Sequence, residues 1–125
     1  MTARIAQVTL DANDVERCVR FWSAALDYRA EWDDEDRSAK LYPPAGAPPD
    51  ICTIWVQPVG ETKNDKLRMH LDLRPVDGDV DAEVARLVAL GAEDADVGQT
   101  GEEGFVVLRD PAGNEFCVLR SEPRT

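Results

Sequence analysis

Gln7-Val-Thr-Leu-Asp-Ala-Asn-Asp14 and His70-Leu-Asp-Leu-Arg-Pro-Val-Asp77 share one outline, 63 positions apart. Each alternates in the manner of a strand, reaches an Asp and opens a helical stripe. In the first half Val15, Cys18, Val19, Trp22 and Leu26 fall on one helix face, and in the second Val80, Val84, Leu87 and Val88 do so. Asn13 or Asp14 supplies the first N-cap, Asp77 or Asp79 the second, and Gly91 stands where the second helix should end.

Working outward, residues 4–10 read as a strand and are followed by the helix 15–26. Short strands are expected at 28–33, 39–42 and 51–57, with the proline-rich loop 43–50 before the last of them. A polar connector covers about residues 59–66. The order then repeats: a strand at 67–74, a helix, strands at 92–97 and 105–109, the turn 110–114, a strand at 115–120, and a frayed tail at 121–125. The expectation is a single α+β domain over residues 1–125. It is built of two βαβββ modules, about 4–58 and 67–121, whose mixed sheets curve around a cleft.

Composition bounds the function. With 125 residues, 43% hydrophobic and 31% charged, the chain can bury a proper core. No apolar run approaches the roughly 20 residues that span a bilayer, and no signal peptide is visible ahead of the first strand. Fourteen basic residues scattered among 25 acidic ones, a net charge of −11, argue against a nucleic-acid partner. The same acidity suits solubility and neutral or cationic ligands. Cys18, Cys52 and Cys117 are odd in number and lack metal-motif spacing, so they read as free thiols of a cytoplasmic protein.

Alternation sorts the strand residues onto two faces. Ala6, Val8 and Leu10, Met69, Leu71 and Leu73, and Phe116 and Val118 form the apolar set that the helices cover. Gln7, His70 and Glu115 emerge together on the other face, each near a strand start. One amide oxygen, one imidazole and one carboxylate make a metal-ligand set suited to a divalent Zn, Ni, Mn, Co or Fe ion. Three protein ligands leave positions for water or substrate, and a metal there would polarise a carbonyl or generate hydroxide. Asp72, two residues from His70, could orient the imidazole. From residue types alone, a hydrogen-bonded polar group with no metal is the favoured reading of the same residues. Cys52 is either a fourth ligand or a small buried hydrophobe. If the register slips by one, Thr53 and Trp55 take its place on the cleft face. Trp22 fits the core stripe, and Trp32, Tyr42 and Trp55 either line an aromatic pocket or pack in the core or at its rim.

The paired units, the run Val59-Gly-Glu-Thr-Lys63 to Lys66-Leu-Arg-Met-His-Leu-Asp72 and the stretch Asp110-Pro-Ala-Gly-Asn-Glu-Phe116 resemble the vicinal oxygen chelate superfamily. That group contains glyoxalase I, extradiol dioxygenases, and fosfomycin- and bleomycin-resistance proteins. The likeness is strongest to its small glyoxalase-like domain members and runs from Ile5 to Leu119. It implies metal ligands on the first and last strands of the modules, at Gln7, His70 and Glu115. Gln7 stands where glyoxalase I proteins carry Gln and many other members His. Ile51, Cys52 and Thr53 occupy the region of the fourth glyoxalase ligand, a Glu. The implied function is a metal-dependent lyase- or isomerase-type enzyme acting on a small oxygenated substrate. Glu115 would be catalytic and Asp72 and Trp55 would contact the ligand. The other implied function is a metal-free sequestering protein of the bleomycin-resistance type. The resemblance also implies a homodimer.

Overall fold

The computed structural model describes residues 2–95 and 104–120. It forms two compact units, one ending at Thr62 and the other starting at Lys63. The first holds strand β1 (Gln7–Ala12), helix α1 (Val15–Leu26) and strands β2 (Arg29–Asp33), β3 (Ser38–Tyr42) and β4 (Thr53–Pro58). The second holds β5 (Leu71–Leu73), α2 (Val80–Leu90), β6 (Glu93–Asp94), β7 (Phe105–Arg109) and β8 (Glu115–Leu119). Both expected βαβββ modules are therefore present, and the chain is α+β. Each unit carries one mixed four-stranded sheet, ordered β1-β4-β3-β2 in the first and β5-β8-β7-β6 in the second. In both, the first and last strands pair in parallel.

Local chemistry explains where the helices start and stop. The Asp14 carboxylate accepts the Arg17 amide at 3.1 Å, and the Asp79 carboxylate accepts the Ala82 amide at 3.0 Å. Each satisfies one of the orphan donors of a first helical turn. Asp79, not Asp77, is thus the second cap; Asp77 instead accepts the Asp79 amide at 3.0 Å. Gly91 ends α2 with φ of 125°, its amide donating to the carbonyls of Leu87 and Val88.

The stripe of α1 is the core of the first unit. Cys18, Val19, Phe21 and Trp22 are buried, as are Ala39, Leu41, Ile54 and Val56 on the strands the helix covers. Phe21 and Trp22 meet edge to face, with ring centroids 5.1 Å apart. In the second unit Leu87, Leu108, Phe116 and Val118 are fully buried. The inner face of α2 is narrower than its sequence suggests: only Val80 and Leu87 are buried, and Val88 is 45% exposed.

Three strand expectations shorten. The run 67–74 is a strand only at Leu71–Leu73, and 92–97 only at Glu93–Asp94, residues 96 and 97 lying outside the described ones. The strand expected from Ile51 begins at Thr53. The expected frayed tail, 121–125, also lies outside the described residues.

The turn 110–114 is self-bracing. The Asp110 carboxylate accepts the amides of Ala112 and Asn114, both at 2.9 Å, and the Asn114 side-chain amide at 3.2 Å. Gly113 closes the turn at φ of 86°, a left-handed conformation that costs a side-chain-bearing residue about 1–2 kcal/mol. A Cβ there would have room, the nearest atom being the Lys63 Cβ at 3.9 Å. Gly113→Ala is therefore expected to cost about 1–2 kcal/mol through backbone strain alone. Urea unfolding reads it, and an unchanged midpoint would refute it. The turn fixes the β7–β8 register so that Arg109 faces Glu115.

Candidate functional site

The two parallel strand pairs decide which side chains share a face. In the second unit Leu71 pairs with Phe116 and Asp72 with Cys117, and His70 immediately precedes β5 as Glu115 opens β8. In the first unit Gln7 pairs with Thr53 and Thr9 with Trp55. Of the two registers the sequence leaves open, the structure takes the one that puts Thr53 and Trp55, not Cys52, on the face of Gln7. Thr53 thus corresponds to Glu115, and Trp55 to Cys117. A hydroxyl replaces the carboxylate, and it reaches the Gln7 side-chain oxygen at 3.5 Å and the Ala6 carbonyl at 3.4 Å.

The second unit encloses a cavity of about 320 Å³ on this face. His70, Asp72, Glu115 and Cys117 line it, beside the apolar wall of Phe105 and Val107. Three of the sequence-expected residues, His70, Asp72 and Glu115, therefore meet in one cavity. Gln7 and Trp55 lie in the first unit, on the matching face of its sheet. Trp32 is 47% exposed and borders a separate, open groove of about 1060 Å³ along α1.

Glu115 is buried, and its partners define its state. Its two oxygens take the Lys63 ammonium at 2.7 Å and the Leu67 amide at 3.2 Å. Burial pushes the carboxyl up, but the Lys63 bond and the Leu67 amide together outweigh it and hold Glu115 below the ordinary carboxylate range. Glu115 is an anion at neutral pH, already neutralised from within.

His70 and Asp72 are more open. Nε2 of His70 stands 3.1 Å from Oδ1 of Asp72. Burial, and then the Asp72 carboxylate, push the Cys117 thiol up. Donor atoms of His70, Asp72 and Cys117 all lie within 4.8 Å of one another. Imidazole, carboxylate and thiolate are all donors that a divalent ion accepts, so this face fits a metal by the chemistry of its donors.

Sequence reasoning missed two participants. Lys63 sits in the connector, and only its long side chain brings it to Glu115, so no periodicity marks it. Cys117 was detectable, because alternation places it on the face of Glu115, two residues on.

The solved structures most similar in fold include fosfomycin-resistance proteins. FosX from Listeria monocytogenes, a point mutant complexed with Mn(II) and 1S,2S-dihydroxypropylphosphonic acid, superposes with a TM-score of 0.72 at 17% identity, covering 98% of this chain and 93% of that one. FosX from Mesorhizobium loti gives 0.68 at 19% identity, over 98% and 94%. A Listeria FosX complexed with Mn(II) and sulfate gives 0.67 at 17%, over 98% and 95%. These likenesses establish the fold. No curated protein sequence matches the chain. No helix among the described residues is long and apolar enough to cross a membrane. The family model described as "Glyoxalase-like domain" matches residues 7–119, and the chain belongs to that family, within the vicinal oxygen chelate superfamily.

Proposed function

We propose that this chain is a divalent-metal-dependent enzyme of lyase or isomerase type, acting on a small oxygenated molecule, with His70 anchoring the metal. The observation that carries the reading is the meeting of imidazole and carboxylates in one cavity of the second unit. The Mn(II) complexes of FosX support it as relatives in fold. A bound ion would supply Lewis-acid polarisation of substrate oxygens. Asp72 would orient His70 and contact the ligand, and Phe105 and Val107 would exclude water from one side. Trp55 is a proposed ligand contact. Glu115 is the proposed catalytic carboxylate, a role it can take only after Lys63 releases it.

Metal analysis of protein purified without chelator tests the proposal. About one divalent ion per chain is expected in the wild type and almost none in His70→Ala. Equal, negligible metal in both would overturn it.

One observation favours a second reading. The Lys63–Glu115 pair neutralises the buried carboxylate without any external cation. A metal-free sequestering protein needs no more than that, and its ligand binding would survive EDTA in a thermal-shift screen. In either reading the protein is proposed to be a cytoplasmic homodimer that engages neither nucleic acid nor membrane. Light scattering tests the dimer.

A further inference from the structure

We propose that the metal's donors in the second unit are His70, Asp72 and Cys117, a thiolate-containing set that selects zinc-class ions, and that Glu115 stays outside it. The inference rests on the reading that His70 anchors a metal, and it names the partners of that histidine.

The backbone places these donors. Asp72 and Cys117 are register partners on adjacent parallel strands, so their side chains leave the same face side by side. His70 precedes Asp72 by two positions and returns to that face, its Nε2 3.1 Å from the Asp72 carboxylate. The three donor atoms lie within 4.8 Å of one another. Around a tetrahedral ion with bonds of about 2.0–2.3 Å, neighbouring donors stand about 3.3–3.8 Å apart. The cluster is thus about an ångström wider than a closed site. The side chains of His70 and Asp72 are 38% and 47% exposed, so rotation can close that gap without moving the core.

The alternative partner is already taken. Glu115 has its oxygens on Lys63 and Leu67, and its side chain is only 7% exposed. Recruiting it would strand the largely buried Lys63 ammonium without its counter-charge, which is strongly unfavourable. Recruiting Cys117 costs a proton, which passes to solvent as the thiolate binds. Sulfur in the set shifts preference toward Zn(II) and Co(II) and away from Mg(II) and Mn(II). Three protein donors leave a position for a substrate oxygen, and the cavity beside them has room for one.

Cobalt titration of chelator-stripped protein decides the matter. The expected result is a near-ultraviolet thiolate-to-cobalt charge-transfer band that saturates at one ion per chain and is bleached by Zn(II). Cys117→Ser and Cys117→Ala should abolish the band, Cys52→Ser should keep it, and Asp72→Asn should weaken binding by about tenfold or more. Glu115→Gln should retain the band, with thermal melts confirming that each variant folds. Cobalt bound without a thiolate band, lost in Glu115→Gln and kept in Cys117→Ser, would overturn this donor set and restore the one with Gln7 and Glu115. Failure of the wild type to bind cobalt at all would overturn the metal reading itself.

Discussion

Lys63→Met is expected to destabilise the protein by about 3 kcal/mol at neutral pH, the lower end of the range for breaking a buried ion pair from one side. The side chains of Lys63 and Glu115 are 17% and 7% exposed, and the contact is 2.7 Å. Methionine fills much the same volume as the lysine stem, so the loss measures the stranded carboxylate more than a cavity. The Arg20–Glu16 pair on α1 is the internal contrast: both side chains are about 70% exposed, and Arg20→Met should cost no more than about 0.5 kcal/mol.

The sign of the pH dependence follows. In the wild type the Glu115 pKa is lowered, so its contribution is present above the ordinary carboxylate pKa and is lost as pH falls through the lower native value. Without the ammonium the carboxyl keeps its burial and its backbone hydrogen bonds but loses the strongest influence that lowers it, so its pKa rises relative to the wild type. The native variant then binds a proton at a higher pH than the native wild type. Its deficit against the wild type should shrink as pH falls toward about 4. Urea unfolding at neutral and acid pH checks both parts. A deficit below about 0.5 kcal/mol at neutral pH, the worth of an exposed pair, would show that the pair is not a buried one.

That pair also marks the boundary of what the sequence discloses. The doubled unit was legible because three local signals agree in each half: alternation in the first strand, an Asp cap, and an apolar helical stripe. His70 with Asp72 was legible for the same reason, since two residues on a strand return to one face. The register of the first unit was not. Gln7 and Thr53 are 46 positions apart, whereas His70 and Glu115 are 45 apart. The extra residue lies within 8–52 of the first unit. A slip of one exchanges the faces, so it decides between Cys52 and Thr53 as the counterpart of Glu115. The strand length at 67–74 failed on different grounds. Alternation is visible in those residues, but a ladder needs a neighbour, and β5 finds β8 over only three residues. Lys63 was beyond periodicity altogether, because a flexible side chain from a connector can reach many positions.

Asp110→Ala is the second large effect, with an expected loss of about 2–4 kcal/mol. Asp110 is 3% exposed, and its carboxylate serves three donors: the amides of Ala112 and Asn114 and the side chain of Asn114. Truncation leaves two backbone amides without their acceptor in a partly buried turn, and each such group costs about 1–3 kcal/mol. Asp110→Asn keeps one carbonyl oxygen for the two amides and should cost about 1 kcal/mol, so the pair of variants separates the hydrogen bonds from the volume. The damage should extend beyond stability. The turn sets the β7–β8 register, and β8 carries both Glu115 and Cys117. Gly113 of the same turn packs near the stem of Lys63, the cation that holds Glu115. A loosened turn should therefore weaken metal or ligand binding in the second-unit cavity by about tenfold or more in Asp110→Ala, although Asp110 lines no part of it. Urea unfolding together with cobalt or ligand titration measures the two effects on the same sample. Full binding in a destabilised Asp110→Ala protein would show that the turn supports the fold alone and leaves the placement of Glu115 and Cys117 to the rest of the sheet.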